Sequence, residues 1–346
     1  MRRPAAAPVL VVGLLVLAAT MTYALGRGSV DVPADRVVAV VARRLGLGEH
    51  GVTLAEDQIV WQLRMPRVLA AAACGTVLAL VGAVLQSLTR NDLADPYLLG
   101  ISGGAAVGAV SVIVLGIGVG GLVGSAALAL ASFLGALGAL VLVLLLAVGR
   151  GGTLDPTRTV LAGVAVGQAA AAYTSFLVMV HGDSHSADRV MRWTLGSIAR
   201  VRTDDVAVLV GTALVTVVVV LACAGSLDAF AFGETGARSL GVDVTRLRWL
   251  LLAGSALVVS VLVAHVGAIG FVGLVVPHVA RMVVGPGHRA LLPTTAVAGA
   301  VLLVWADTGA RTLVDGTEIP ISVVTGIVGT PLFVWLLHRS RRRSMA

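Results

Sequence analysis

Five groups of residues carry types and spacings that could do chemistry. Gly100-Ile-Ser-Gly-Gly104 matches the Gly-x-Ser-x-Gly of a nucleophile elbow, with Ser102 as the candidate nucleophile. An elbow sits between a strand and a helix, and no strand pattern precedes Gly100. The version that suits an apolar chain is an intramembrane serine protease of the rhomboid type, pairing Ser102 with His265 on another helix. That class places a glycine three residues after the histidine, where this chain has Ala268. Asp307 lies deep in an apolar run with Arg311 four residues on, one turn along the same helix face, so the two read as an intramembrane ion pair. Arg64 and Arg67 flank Pro66 beside Trp61, which fits interfacial anchoring or a docking site for an acidic partner. His278, with Arg281 a turn later, has no second ligand at helical spacing and gives no metal site. The segment 227–244 is polar and compact. A short helix there would carry Phe232 and Leu240 beside Glu234 and Arg238, a surface suited to docking in a groove.

The elements that hold these groups follow from composition. Of the 346 residues, 58% are hydrophobic and 12% charged, too few charges to cover a water-facing surface of that size. A spanning helix needs roughly 20 apolar residues. Ten runs qualify, at 8–26, 66–88, 99–116, 122–148, 158–181, 205–224, 247–267, 271–284, 291–312 and 320–338. The third and eighth are short and glycine-rich, which predicts broken or tilted helices buried in protein. No period-two alternation supports a β-barrel. The chain reads as one all-α transmembrane domain over 1–346, without an internal repeat.

The net charge of +7 comes from arginines at the ends of apolar runs, the pattern of interfacial anchors and not of nucleic-acid binding. All 25 basic residues are arginine. A P-loop requires lysine, so ATP hydrolysis belongs to a separate subunit. Cys74 and Cys223 both fall in apolar runs and form neither a disulfide framework nor a metal motif. Arg2 and Arg3 before the first run, with arginines at 339 and 341–343, favour both termini on the cytoplasmic side; the first run reads as a retained helix and not a cleaved signal.

Taken together, the ordered motifs resemble the FecCD-type permeases of ABC importers, the siderophore, haem and vitamin B12 group. The resemblance runs from about Val60 to Leu337. It is carried by Trp61-x-Leu-Arg-x-Pro-Arg67, Gln86, Arg90-Asn-Asp-Leu-Ala-Asp-Pro-Tyr-Leu-Leu-Gly-Ile-Ser-Gly-Gly-Ala105, Leu161-Ala-Gly163, Trp193-x-Leu-Gly-Ser197 and Phe232-Gly-Glu234. Ala237-Arg-Ser-Leu-Gly-Val242, Gly267-Ala-Ile-Gly-Phe-Val-Gly-Leu-Val-Val-Pro-His-Val-Ala-Arg281, Asp307, Arg311, Glu318-Ile-Pro320 and Gly329-Thr-Pro-Leu-Phe333 complete the set. The resemblance implies a type II ABC importer permease of about ten helices per subunit, multi-pass in the bacterial cytoplasmic (inner) membrane. It implies a homodimer or a paired homologous permease, an ABC ATPase dimer that holds ATP and Mg, and an extracytoplasmic substrate-binding protein. This chain itself would bind no cofactor and catalyse no reaction.

By the same resemblance, Arg64, Arg67 and Arg311 face acidic residues of the binding protein. Gly233, Glu234, Ala237, Arg238, Leu240 and Gly241 form the element seated in the ATPase. Asn91, Leu93 and Thr157 stand near the inner gate. The expected cargo is an iron–siderophore complex, with vitamin B12 or haem as the alternative. Two departures from the family pattern bear on this. Asp92 stands where the family has proline, placing a charge by the gate, and Gly267-Ala268-Ile269 replaces the Gly-Pro-Ile of many siderophore members, as vitamin B12 members can.

Overall fold

The computed structural model describes residues 6–48, 51–119, 122, 124–149, 154–314 and 316–344; Arg2, Arg3 and Arg150 lie outside them. Among the described residues the chain is helical, with two isolated β-bridges and no strand. Among the described residues seven helices are long and apolar enough to span a bilayer: α1 (Ala6–Gly26), α3 (Leu54–Thr89), α5 (Gly124–Ala147), α6 (Pro156–His181), α8 (Thr203–Ala222), α11 (Val244–Val266) and α13 (His288–Thr312). Three shorter apolar helices complete the ten expected spans: α4 (Ile101–Leu115), α12 (Val272–Val284) and the apolar part of α14 (Ile321–Ser344). Between them lie α2 (Ala34–Arg44), α7 (Ser184–Thr194), α9 (Ala224–Ala229) and α10 (Gly233–Ser239).

The bundle is built around α3, whose apolar stretch is 83% buried. Small residues permit that burial. A Cβ on Gly75 would lie 2.1 Å from the Gly299 carbonyl oxygen, so the α3 and α13 backbones touch. Lipid offers no hydrophobic drive for helix association, and such close packing supplies the dispersion contact in its place.

α3 starts twelve residues before the predicted boundary at 66. Thr53 and Glu56 form a capping box at Leu54, and a π-helical turn over Gln58–Arg64 carries the chain to Pro66. A proline inside a helix lacks an N–H and crowds the carbonyl four residues back; the widened turn absorbs both. The polar residues Glu56 and Asp57 hide this extension in the sequence, and Arg36 and Arg44 of α2 hold them by ion pairs.

The short spans are a feature of the core. α12 has 13 residues, about 20 Å of helix against a hydrocarbon layer of roughly 30 Å. The segment between α11 and α12 is irregular, with Gly267 at φ 72° and Phe271 at φ 70°. Backbone groups in and beside it are bonded within the protein. Ser197 N–H donates to the Val266 carbonyl at 2.8 Å, Ile269 N–H to the Tyr97 hydroxyl at 2.8 Å, and the Ser322 hydroxyl to the Ala268 carbonyl at 2.7 Å. Non-helical backbone at membrane depth survives only under such cover. Pro277 supplies no N–H to the carbonyl of Gly273 four residues earlier. The Gln86 amide of α3 replaces that donor, 3.2 Å from the Gly273 oxygen.

Candidate functional site: two polar ends of one bundle

At one end, where α1 finishes, three arginines converge. Arg67 Nε donates to both Asp307 oxygens, at 2.9 and 3.0 Å, and its NH1 donates to Glu318 at 2.6 Å. Arg311 Nε lies 3.7 Å from Asp307, and its NH2 donates to the Ala24 carbonyl at 2.6 Å. Arg64 donates to the Leu25 carbonyl at 2.8 Å and also to the Val30 carbonyl. The last carbonyls of a helix have no intrahelical donor and carry partial negative charge. Arg64 and Arg311 therefore cap α1, while Arg67 and Arg311 bracket Asp307. The predicted Asp307–Arg311 pair is present, but Arg67 is the nearer partner.

The three arginines assigned to docking are thus brought together and held from inside. The Arg64 residue is 6% exposed and the Arg67 side chain 13%, whereas Glu318 is half-exposed. Beside them on the same side of the bundle, a cavity of about 590 Å³ is lined by Arg189, Arg200, Arg202, Asp204, Asp205 and His265.

The protease pairing is not formed. Ser102 lies at the start of α4, whereas His265 lines the cavity beside Ile113 and Gly116 at that helix's far end, roughly 15 Å along the axis. His265 Nδ1 instead meets the Val261 carbonyl at 2.8 Å.

At the opposite end, α9, a 3₁₀ turn (Phe230–Phe232) and α10 form the short helical element foreseen for 227–244. Gly233 at φ 80° and Gly241 at φ 82° bracket α10, conformations that favour glycine. Ala237 is fully buried and roots the helix, while Phe232 and Leu240 are exposed at 75% and 63%. They edge a groove of about 630 Å³ that also includes Gly241, Val242 and Arg289. Arg238, near the C-terminus of α10, complements the helix dipole.

Glu234 anchors this element to the bundle. It accepts from Arg248 NH2 of α11 at 2.7 Å, and Arg248 NH1 donates to the Leu154 carbonyl at 3.0 Å. The bond from Arg248, reinforced by the charges of Arg248, Arg238 and Arg90, holds the Glu234 carboxyl below the usual carboxylate range. Arg248 itself is buried, and its Nε has no hydrogen-bond partner. In the sequence Arg248 is one more arginine near a span end; its link to Glu234 depends on tertiary packing.

The α3–α4 connection lies at the same end. Arg90 ends α3 in the left-handed region, and Asn91 Oδ1 accepts from Leu93 N–H at 2.9 Å, an Asx turn. Asp92, the residue in place of the family's proline, is paired with Arg281 of α12 at 3.0 Å, so its charge has a fixed partner. Leu93 is exposed, and Thr157 is an exposed residue in the first turn of α6. The two segments meet farther in, around a cavity of about 20 Å³ bordered by Ala94, Asp95, Thr159, Val160 and Arg248. Burial pushes the Asp95 carboxyl up to about 6, against the bond it accepts from Tyr97 N–H. Burial likewise raises the Tyr97 hydroxyl.

Comparison with known proteins bears on both ends. The sequence profile of the FecCD transport family matches residues 14–339. The cobalamin import system permease protein BtuC of Halobacterium salinarum is 41% identical over 304 residues, which is 86% of this chain and 78% of that protein. The vitamin B12 import system permease protein BtuC of Vibrio cholerae is 41% identical over 286 residues, 82% of this chain and 84% of that one. A solved inward-facing structure of a metal-chelate type ABC transporter superposes with a TM-score of 0.83. It is 30% identical and covers 96% of this chain and 99% of its own.

Proposed function

The chain belongs to the FecCD transport family and is the permease of an ABC importer, and we propose that its cargo is a cobalamin. The observation that carries this reading is the 41% identity to two permeases named for cobalamin or vitamin B12 import, each over four-fifths or more of the chain. Gly267-Ala268-Ile269, in the irregular α11–α12 segment, points the same way. The siderophore reading of the sequence rests on the number of siderophore carriers in the family. It remains the second reading, because a ferric siderophore is also a metal chelate.

In this reading the Asp307 end faces outward and both termini face the cytoplasm, with two copies of the chain enclosing the pathway. An extracytoplasmic binding protein docks at the arginine cluster. Three cations there face two carboxylates, Asp307 and Glu318, so the cluster carries an excess positive charge for an acidic partner. Carboxylates of that partner compete with half-exposed Glu318 for Arg67. A separate ATPase pair receives α10 against exposed Phe232 and Leu240. Asn91, Leu93 and Thr157 are assigned to the inner gate. ATP supplies the difference in affinity between two arrangements of the bundle that alternating access requires. Uptake of cobalt-57 cyanocobalamin by cells with and without the gene tests the cargo: loss on deletion supports cobalamin, and loss of ferric-siderophore uptake instead supports the second reading.

A further inference from the structure

Ser87, His288 and Asp228 form a hydrogen-bonded chain across three helices at the α10 end of the bundle. Ser87 Oγ lies 2.7 Å from His288 Nε2, and His288 Nδ1 lies 2.7 Å from Asp228 Oδ1. The spacing is that of a serine nucleophile with its base and orienting acid, but the proton runs the other way. The Ser87 hydroxyl donates to the Ala83 carbonyl at 2.8 Å. Its oxygen therefore faces Nε2 as an acceptor, the reverse of what an activated nucleophile does. Each ring nitrogen of His288 thus has a partner, Ser87 Oγ at Nε2 and Asp228 Oδ1 at Nδ1. Asp228 reaches the ring from α9, Ser87 reaches it from α3, and Arg289 follows it on α13. Asp228 Oδ1 also accepts the His288 backbone N–H at 2.9 Å, an anion at the N-terminus of α13.

This chain joins segments far apart in sequence. Asp228 lies in α9, whose Leu227 and following Phe230 are buried, and α9 leads through the 3₁₀ turn into α10. We propose that His288 is a positioning residue of coupling: it latches the approach to α10 onto α3 and α13, so that displacement of α10 reaches those two spans. The Glu234–Arg248 pair ties the other part of the element to α11, and the latch gives it a second, independent point of attachment. The inference rests on the proposed importer function for its meaning, but its geometry does not depend on the cargo.

The test combines amide hydrogen exchange of the full chain in lipid nanodiscs with reconstitution of the same variants with the ATPase pair and the binding protein. His288→Gln keeps a side-chain amide donor that serves Ser87 or Asp228 but not both. The expected result is faster exchange across 224–241 with α12 unchanged. Cyanocobalamin taken up per ATP hydrolysed should fall by roughly fivefold or more. A purely structural defect lowers uptake and hydrolysis together and leaves that ratio alone. Ser87→Ala spares the Asp228 pair and should show the smaller change in both readouts; it decides the matter by the same criteria if His288→Gln does not fold. Unchanged exchange over 224–241 overturns the latch, and an unchanged ratio overturns the positioning role. Failure of the wild-type complex to take up cyanocobalamin strikes the cargo reading alone. In that case the exchange comparison and the stimulation of hydrolysis by binding protein, neither of which needs a cargo, decide the inference.

Discussion

Arg67 Nε sits 2.9 and 3.0 Å from the two oxygens of Asp307, a contact between residues 240 positions apart that locks α3 to α13. The carboxylate is 1% exposed and has Arg311 on its other side. Removing one member of such a group leaves buried charge uncompensated, which costs about 3–5 kcal/mol. Asp307→Ala should therefore lower thermal stability in detergent far more than Glu318→Ala, since Glu318 is half-exposed. Comparable losses from the two variants would contradict this account.

The Glu234–Arg248 pair should persist through mild acid. A carboxyl held below its ordinary value contributes stability that is present above the unfolded value, and loses it only as pH falls through the depressed one. The window is therefore below the ordinary 4.5. Between pH 5 and 8, uptake per ATP should show no step from this pair, while Glu234→Gln should lower it throughout. Arg248→Lys should behave like Glu234→Gln. One ammonium cannot reproduce the fork that reaches both Glu234 and the Leu154 carbonyl.

Asp95 has the opposite sign. Its carboxyl is pushed up to about 6, so ionisation disfavours the folded state, and stability is lost as pH rises from the ordinary acid range through 6. Asp95→Asn retains an oxygen for Tyr97 N–H and removes the charge. It should match the wild type near pH 4 and exceed it at pH 7.5 by on the order of 2–3 kcal/mol. Parallel melting curves across that range would show that Asp95 does not titrate in place.

Gly82 and Gly273 test the close packing of α3 against the short span α12. A Cβ on Gly82 would lie 2.0 Å from the Gly273 carbonyl oxygen, and relief requires the helices to part. The same oxygen accepts from Gln86, so Gly82→Ala should also break that bond. We expect a cost of about 1–3 kcal/mol or more, read as lost folded yield, against a near-neutral Gly211→Ala at an open site.

Much of this was legible in the sequence, for identifiable reasons. The ten spans follow from apolar runs, and α10 follows from a compact polar stretch between glycines. The Asp307–Arg311 pair is legible because both residues share one helix. Arg67 as the nearer partner of Asp307 was not, because that contact depends on Gly75 and Gly299 letting α3 and α13 touch. The amphipathic helices α2 and α7 fall between the apolar runs. Arg36 and Arg44 of α2 pair with Glu56 and Asp57 of α3, Arg192 of α7 pairs with Asp188 of the same helix, and neither element shows as an apolar run. His288 carried no signal in isolation; its meaning comes from Ser87 and Asp228, which precede it by 201 and 60 positions.

The most direct measurement of the central claim is cobalt-57 cyanocobalamin accumulation in proteoliposomes that contain this chain, its ATPase pair and its binding protein. The account predicts accumulation that requires ATP and this chain and is not displaced by excess ferric siderophore. No accumulation of cobalamin under conditions where a ferric siderophore is taken up would contradict it.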